Sequence, residues 1–184
     1  MQVIASIFLL FSIIYVIICY EWMVHTLKKE ICKIAAGIFI LDQFVKFIMM
    51  SVLSYQETFF LIPRFLYFTY VKNTGGAWSI FSGNPWLLTM IGLISIIGIG
   101  YYIYRKKDFT FLEVIYLGLV IGGILGNFVD RVFRSGVIDY IGFIFSNYYF
   151  PIFNIADICI VCGGILLMID SLRSDQDGIR SNKR

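Results

Sequence analysis

Residues 154–172 read NIADICIVCGGILLMIDSL, and apart from Asp157 and Asp170 the stretch is apolar or small. A run of that length matches the roughly 20 residues a helix needs to cross about 30 Å of hydrocarbon. Four further runs have the same character: Val3 to Tyr20, Ile31 to Leu53, Pro85 to Tyr104 and Phe109 to Arg131. The chain of 184 residues is 59% hydrophobic and 15% charged, with a mean hydropathy of +0.83. That balance lies outside the range of soluble domains and points to a membrane α-helical bundle. It leaves no stretch for a separate soluble domain.

The basic residues indicate an orientation. Lys28, Lys29, Lys33, Arg105, Lys106, Lys107, Arg173, Arg180, Lys183 and Arg184 fall on one side of an alternating path, ten of the 15 Lys and Arg. Short loops rich in Lys and Arg stay in the cytoplasm, so the C-terminus is expected there. The net charge of +3 then reflects topology and does not argue for nucleic acid.

Residues 1–30 carry an extra hydrophobic segment with no basic residue before Lys28. A secretory signal opens with positive charge and ends in small residues, and this one does neither. Two readings stay open: an additional N-terminal helix, or a start-site extension, since initiation at Met23 would leave a chain beginning MVHTLKKE. The remaining divisions are a membrane domain at 31–172 and a polar cytoplasmic tail at 173–184.

Two stretches break the helical pattern. TFFLIPRFLYFTYVKNTGGAWSIF (58–81) is aromatic and β-branched, is cut by Pro63 and turns at Gly75 and Gly76; SGVIDYIGFIFSNYYFPIF (135–153) has the same flavour. Both predict short strands. Lipid does not tolerate open sheet edges, so they predict a small antiparallel β platform on the outer face.

Polar groups at membrane depth are costly and serve as functional candidates. In LDQFVK (41–46), Asp42 and Lys46 stand four apart in the favourable order for an ion pair. In IGGILGNFVDRV (121–132), Gly122 and Gly126 form a G-x-x-x-G packing pattern, and Asn127, Asp130 and Arg131 share a face. Arg131 is expected to keep the adjacent Asp130 ionised, with Asp130 in turn holding Arg131 and Asn127. The four cysteines read as small packing residues, and with His25 far from Cys159 and Cys162 no metal site is supported.

Two outer acids have no adjacent cation: Asp139 in GVIDYIGF and Asp157 in FNIAD. Asn154 followed by an acid three residues on resembles a helix cap, which accounts for Asp157 without chemistry. Asp139 has no such explanation. Two carboxylates brought together in a partly dehydrated site tend to share a proton, one acting as base toward water while the other donates to a carbonyl. The 17 residues between them are enough for the chain to fold back.

The ordered set LDQFVK, KNTGGAWSIF, GGILGNFVDRV, GVIDYI and FNIAD resembles the bacterial lipoprotein signal peptidases, also called signal peptidase II. The resemblance spans Ile31 to Leu172. It implies four core transmembrane helices and an intramembrane aspartic endopeptidase in the bacterial cytoplasmic membrane, acting as a monomer near the outer face. The implied substrates are diacylglyceryl-modified prolipoproteins, cut before the lipid-modified cysteine, with membrane lipids as surroundings and no cofactor. Asp139 and Asp157 would be the catalytic pair. Asp42, Lys46, Asn73, Gly75, Ala77, Asn127, Asp130, Arg131, Asn154 and Ala156 would bind substrate or support the site, with Asn127 and Arg131 reaching backbone carbonyls. Trp78 stands where the family more often has Phe. The competing class is a small transporter or channel component whose ionisable groups line an ion path; clustering of those groups toward one face speaks for the hydrolase.

Overall fold

The computed structural model describes residues 2–76, 81 and 84–181. Among these residues, four helices and four strands follow in the order α1 (Gln2–Val52), β1 (Thr58–Ile62), β2 (Leu66–Asn73), α2 (Pro85–Arg105), α3 (Phe111–Arg134), β3 (Val137–Phe145), β4 (Tyr148–Tyr149) and α4 (Ile155–Ser181). Among the described residues, three helices are long and apolar enough to cross a membrane: Trp86–Arg105, Phe111–Arg134 and Ile155–Arg173.

Both N-terminal apolar runs lie on the single helix α1, which spans 51 residues or about 76 Å at 1.5 Å per residue. The reason is local. No Pro or Gly occurs before Gly37, and the polar stretch between the runs is rich in Glu, Lys and Leu, which favour helix. A dip in hydropathy does not break a helix; a breaker residue does.

Helix α3 is the centre of the bundle and packs against α1, α2 and α4. Its start is a capping box in which Thr110 accepts from the Glu113 N–H and Glu113 accepts from the Thr110 N–H. The G-x-x-x-G pattern does serve close approach. A Cβ on Gly122 would lie 2.7 Å from the Ala35 carbonyl oxygen of α1, and one on Gly126 would collide with the Asp42 carboxylate. Helix α2 touches little besides α3, and its Ile94 and Ile97 are 64% and 62% exposed. Such a surface suits lipid.

The aromatic stretches form one antiparallel sheet in the order β1-β2-β3-β4. Pro63 and Arg64 make the β1–β2 turn, closed by the Phe65 N–H donating to the Ile62 carbonyl at 3.1 Å. Strand β3 follows α3 almost directly, through Ser135 in the left-handed region and Gly136. After β4 the chain folds back, so that Phe153 pairs with Ile141 and α4 begins beside β3.

Candidate active site

The N-terminus of α4 organises the site. The first N–H groups of any helix lack intrahelical acceptors and need partners from outside. Here the Ile155 N–H donates to the Tyr140 hydroxyl at 3.3 Å, the Ala156 N–H to Asp42 Oδ1 at 3.0 Å, and the Asp157 N–H to Asn154 Oδ1 at 2.9 Å. In return the Asn154 N–H donates to Asp157 Oδ2 at 3.2 Å, completing the reciprocal cap that the spacing suggested. Three elements, α1, β3 and the α4 entry itself, thereby fix the position of Asp157. Ala156 is fully buried.

Asp42, Lys46 and Asp130 form a closed ionic core, each 0% exposed. The Lys46 ammonium lies 2.7 Å from Asp42 Oδ2 and 2.7 Å from Asp130 Oδ2, and donates to Asn127 Oδ1 at 3.1 Å. Lys46 therefore does not snorkel toward the surface. Asp130 also pairs with Arg134 and accepts from the Ile138 N–H at 3.2 Å, which pins the start of β3.

This corrects the expected pairing of Asp130 with Arg131. Adjacent helical residues diverge, whereas Arg134 is one turn on and on the same face. The Arg131 guanidinium instead donates to the Asn127 carbonyl at 3.4 Å and lines the cavity described below. Gln43 and Arg134 were not singled out from the sequence. Gln43 Nε2 donates to Asp130 Oδ1 at 3.2 Å and to the Gly126 carbonyl at 3.1 Å, while Arg134 donates to Gln43 Oε1 at 2.9 Å. The i, i+4 spacing of Asp130 and Arg134 was the available signal.

Asp139 and Asp157 are held differently, by amides. Asp139 is 2% exposed and accepts from Asn154 Nδ2 at 2.6 Å and from Asn73 Nδ2 at 2.9 Å. Asn73 is oriented by the Gly75 N–H, which donates to its Oδ1 at 2.9 Å. Asp157 accepts from Asn127 Nδ2 at 2.7 Å. Asn154 thus touches both acids, and Asn127 joins Asp157 to the Lys46 core. Among the described residues neither acid has a salt-bridge partner. Burial, first, and the neighbouring Asp157 charge, second, push the Asp139 carboxyl up to about 7, against the amides of Asn73 and Asn154.

Both acids line one cavity of about 430 Å³ together with Asn73, Gly75, Gly76 and Arg131. Its remaining wall is apolar, from Phe150, Pro151 and Phe153 to Ile158, Val161 and Cys162 on α4. Val161 is 58% exposed, so the cavity opens along the outer side of α4. Asn127 is buried behind Asp157, to which it donates, and Arg131 is the guanidinium that lines the cavity. Ala77, also a candidate from the sequence, lies outside the described residues. The arrangement brings two carboxyl groups, a guanidinium and an apolar wall to one cavity.

A family model described as "Signal peptidase (SPase) II" matches residues 34–173. A protein named "Lipoprotein signal peptidase" from Bacillus velezensis is 43% identical over 139 residues, covering 76% of this chain and 91% of the relative. One of the same name from Bacillus pumilus is 41% identical over 132 residues, covering 72% and 85%. A solved structure entitled "Bacterial membrane enzyme structure by the in meso method at 2.3 A resolution" superposes with a TM-score of 0.74 at 34% identity, covering 80% of this chain and 90% of that one.

Proposed function

The chain belongs to the signal peptidase II family, and from that premise we propose that it cleaves diacylglyceryl-modified prolipoproteins before the lipid-modified cysteine, with Asp139 and Asp157 as its catalytic pair. The observation that carries the reading is the shared cavity: two carboxyls with no salt-bridge partner among the described residues, one pushed up to about 7, beside an apolar wall that opens along a lipid-facing helix.

The chemistry follows from the pair. With one proton between the two carboxyls, the ionised member takes a proton from water as the water oxygen attacks the scissile carbonyl carbon. The protonated member gives its proton to the carbonyl oxygen, producing a neutral tetrahedral diol. The newly protonated member then gives its proton to the amide nitrogen while the other carboxylate takes one from a diol hydroxyl, so that the C–N bond breaks, the signal peptide acid and the amine of the cysteine leave, and the pair regains its single proton. The proton belongs to the pair, so the two roles exchange within one turnover. Arg131 is placed to bind a substrate carbonyl near the acids.

Helix α1 from about residue 31 joins the three apolar helices as a fourth span, and the end carrying Lys28 and Lys106 faces the cytoplasm. The acids and the sheet then lie at the outer face. The substrate's acyl chains stay in lipid beside Ile158 and Val161 while its peptide bond reaches the cavity. An ion path is disfavoured by the middle of α3, where residues 117–126 carry no ionisable group.

The test is cleavage of a diacylglyceryl-modified precursor by the purified chain. Asp139→Asn and Asp157→Asn are each expected to abolish turnover while leaving the fold intact. Near wild-type rates in either variant would remove that residue from the pair.

A further inference from the structure

Consecutive residues of β3 hold consecutive residues at the entry of α4. Asp139 accepts from the Asn154 side chain at 2.6 Å, and the Tyr140 hydroxyl accepts from the Ile155 N–H at 3.3 Å. Tyr140 also grips the chain earlier, its own N–H donating to the Phe153 carbonyl at 3.1 Å. The segment is therefore clamped to one residue of β3 on both sides of Asn154, the side chain that touches both acids.

The hydroxyl is the part that needs a reason, because Tyr140 is 1% exposed and phenylalanine would fill the same space. A buried phenol oxygen costs free energy unless it is hydrogen-bonded, and its partner here is one of the N–H groups that a helix start leaves without an intrahelical acceptor. The next such N–H, of Ala156, goes to Asp42 on α1 at 3.0 Å. The end of α4 is thus held from two directions, by β3 through Ile155 and by α1 through Ala156. Without the Tyr140 hydroxyl it follows α1 alone, and Asp157 shifts relative to the strand that carries Asp139. The hydroxyl is no proton carrier. Burial first, with the charges of Asp42, Asp157 and Asp139 behind it, outweighs the Ile155 N–H and holds the phenol well above the usual tyrosine range.

We propose that Tyr140 is a positioning residue of the reaction, its hydroxyl setting the separation of Asp157 from Asp139. The inference rests on the peptidase reading and adds to it a residue that acts on the pair from behind. The lining of the acids' cavity comes from other side chains, so Tyr140 works through α4 and not through the substrate. A change in separation reaches the pH dependence as well as the rate. Asp139 is faced by Asp157 of α4, Lys46 of α1, Arg131 of α3 and the amides of Asn73 and Asn154. Burial and the Asp157 charge raise its carboxyl. An α4 entry released from β3 weakens the push of that charge and lets water in against the burial, and both changes lower the carboxyl.

The experiment measures cleavage of a diacylglyceryl-modified precursor by the full-length chain, wild type and Tyr140→Phe, between about pH 5 and pH 9. The variant is expected to lose about tenfold in kcat with KM kept within about twofold, and the alkaline fall of its kcat/KM profile is expected about half a pH unit lower. A second pair of proteins isolates the hydrogen bond. Proline is well tolerated as the first residue of a helix and brings no N–H, so in the Ile155→Pro background the hydroxyl has nothing to receive. There Tyr140→Phe is expected to change kcat by less than about twofold. An unchanged kcat in Tyr140→Phe overturns the inference. A loss of kcat with the wild-type pH profile also overturns it, since a purely structural role lowers the amount of working enzyme and leaves the profile in place. So does a rise in KM alone, or an undiminished effect of Tyr140→Phe in the Ile155→Pro background. Each of these outcomes leaves the peptidase reading intact, whereas failure of the wild type to cut the precursor overturns both.

Discussion

Asp42 and Asp130 are buried acids matched by buried or half-buried cations, with Lys46 2.7 Å from each and Arg134 completing the charge balance. Asp139 and Asp157, joined to that core through Asn127 and Asn154, have amide donors and, among the described residues, no salt-bridge partner. The residue type is the same and the elements are shared, so environment alone separates the pairs. A carboxylate with a cation in contact acts as a fastener between elements. A carboxylate held by neutral amides keeps its position but remains free to gain or lose a proton.

The largest expected effect tests the second pair. Asp139→Asn and Asp157→Asn should each lower kcat by on the order of 10³-fold or more, because every proton transfer in the proposed reaction passes through the pair. Their melting temperatures in detergent should change little, since each removes a potential charge from a dehydrated site but leaves one of the two N–H donors on that acid without its acceptor. A melting loss as large as the activity loss would mean that these acids are fasteners too. The converse holds for Lys46→Met. Two buried carboxylates would lose their common cation, and such a break costs about 3–5 kcal/mol. The expected reading is a fall in Tm on the order of 10 °C. An unchanged Tm would show that the core is not what holds α1 to α3 and α4.

Much of this division was legible in the sequence, and the reasons are specific. Asp42 and Lys46 were recognisable as a pair because both lie on one helix, where spacing dictates contact. The Asn154–Asp157 cap was legible for the same reason. The β platform announced itself through Pro63, the glycine pair and aromatic alternation. What stayed hidden depends on chain segments distant in sequence. Nothing local says that Lys46 would meet Asp130, that Asn127 would donate to Asp157, or that Phe153 would pair with Ile141 and bring Asn154 to Asp139. The continuity of α1 was obscured for a different reason: the polar stretch after Tyr20 marks a change of surroundings, and a helix passes through such a change without interruption. The resemblance to the peptidase family supplied what spacing could not, the grouping of five separated motifs into one site.

The contrast between the pairs also has a pH signature. Asp139, pushed up to about 7 by burial and by Asp157, should lose its proton as the pH rises through that value. The reaction then lacks its acid, so kcat/KM should fall up to tenfold per pH unit above about 7. Stability carries the same sign. A carboxyl whose folded pKa exceeds its unfolded value near 3.8 favours the fold at low pH, and that contribution is lost as the pH rises through about 7. Wild-type Tm should therefore decline between about pH 4 and 7 relative to Asp139→Asn. Parallel curves for the two proteins would contradict a proton-holding Asp139.

The smallest effect distinguishes members of the ionic core from one another. Arg134 pairs with Asp130 as Lys46 does, but its side chain is 30% exposed where that of Lys46 is 0%. Water screens the outer pair, and Asp130 would still have Lys46, Gln43 and the Ile138 N–H as donors after its loss. Arg134→Gln should accordingly cost about 1 kcal/mol or less, against several for Lys46→Met. Turnover should follow the same order, since Asp130 pins the start of β3 and a loosened Asp130 misplaces Asp139 two residues along. Equal losses from the two substitutions would show that the core is held from its rim, by Arg134 and Gln43, and that Lys46 adds charge balance without adding rigidity.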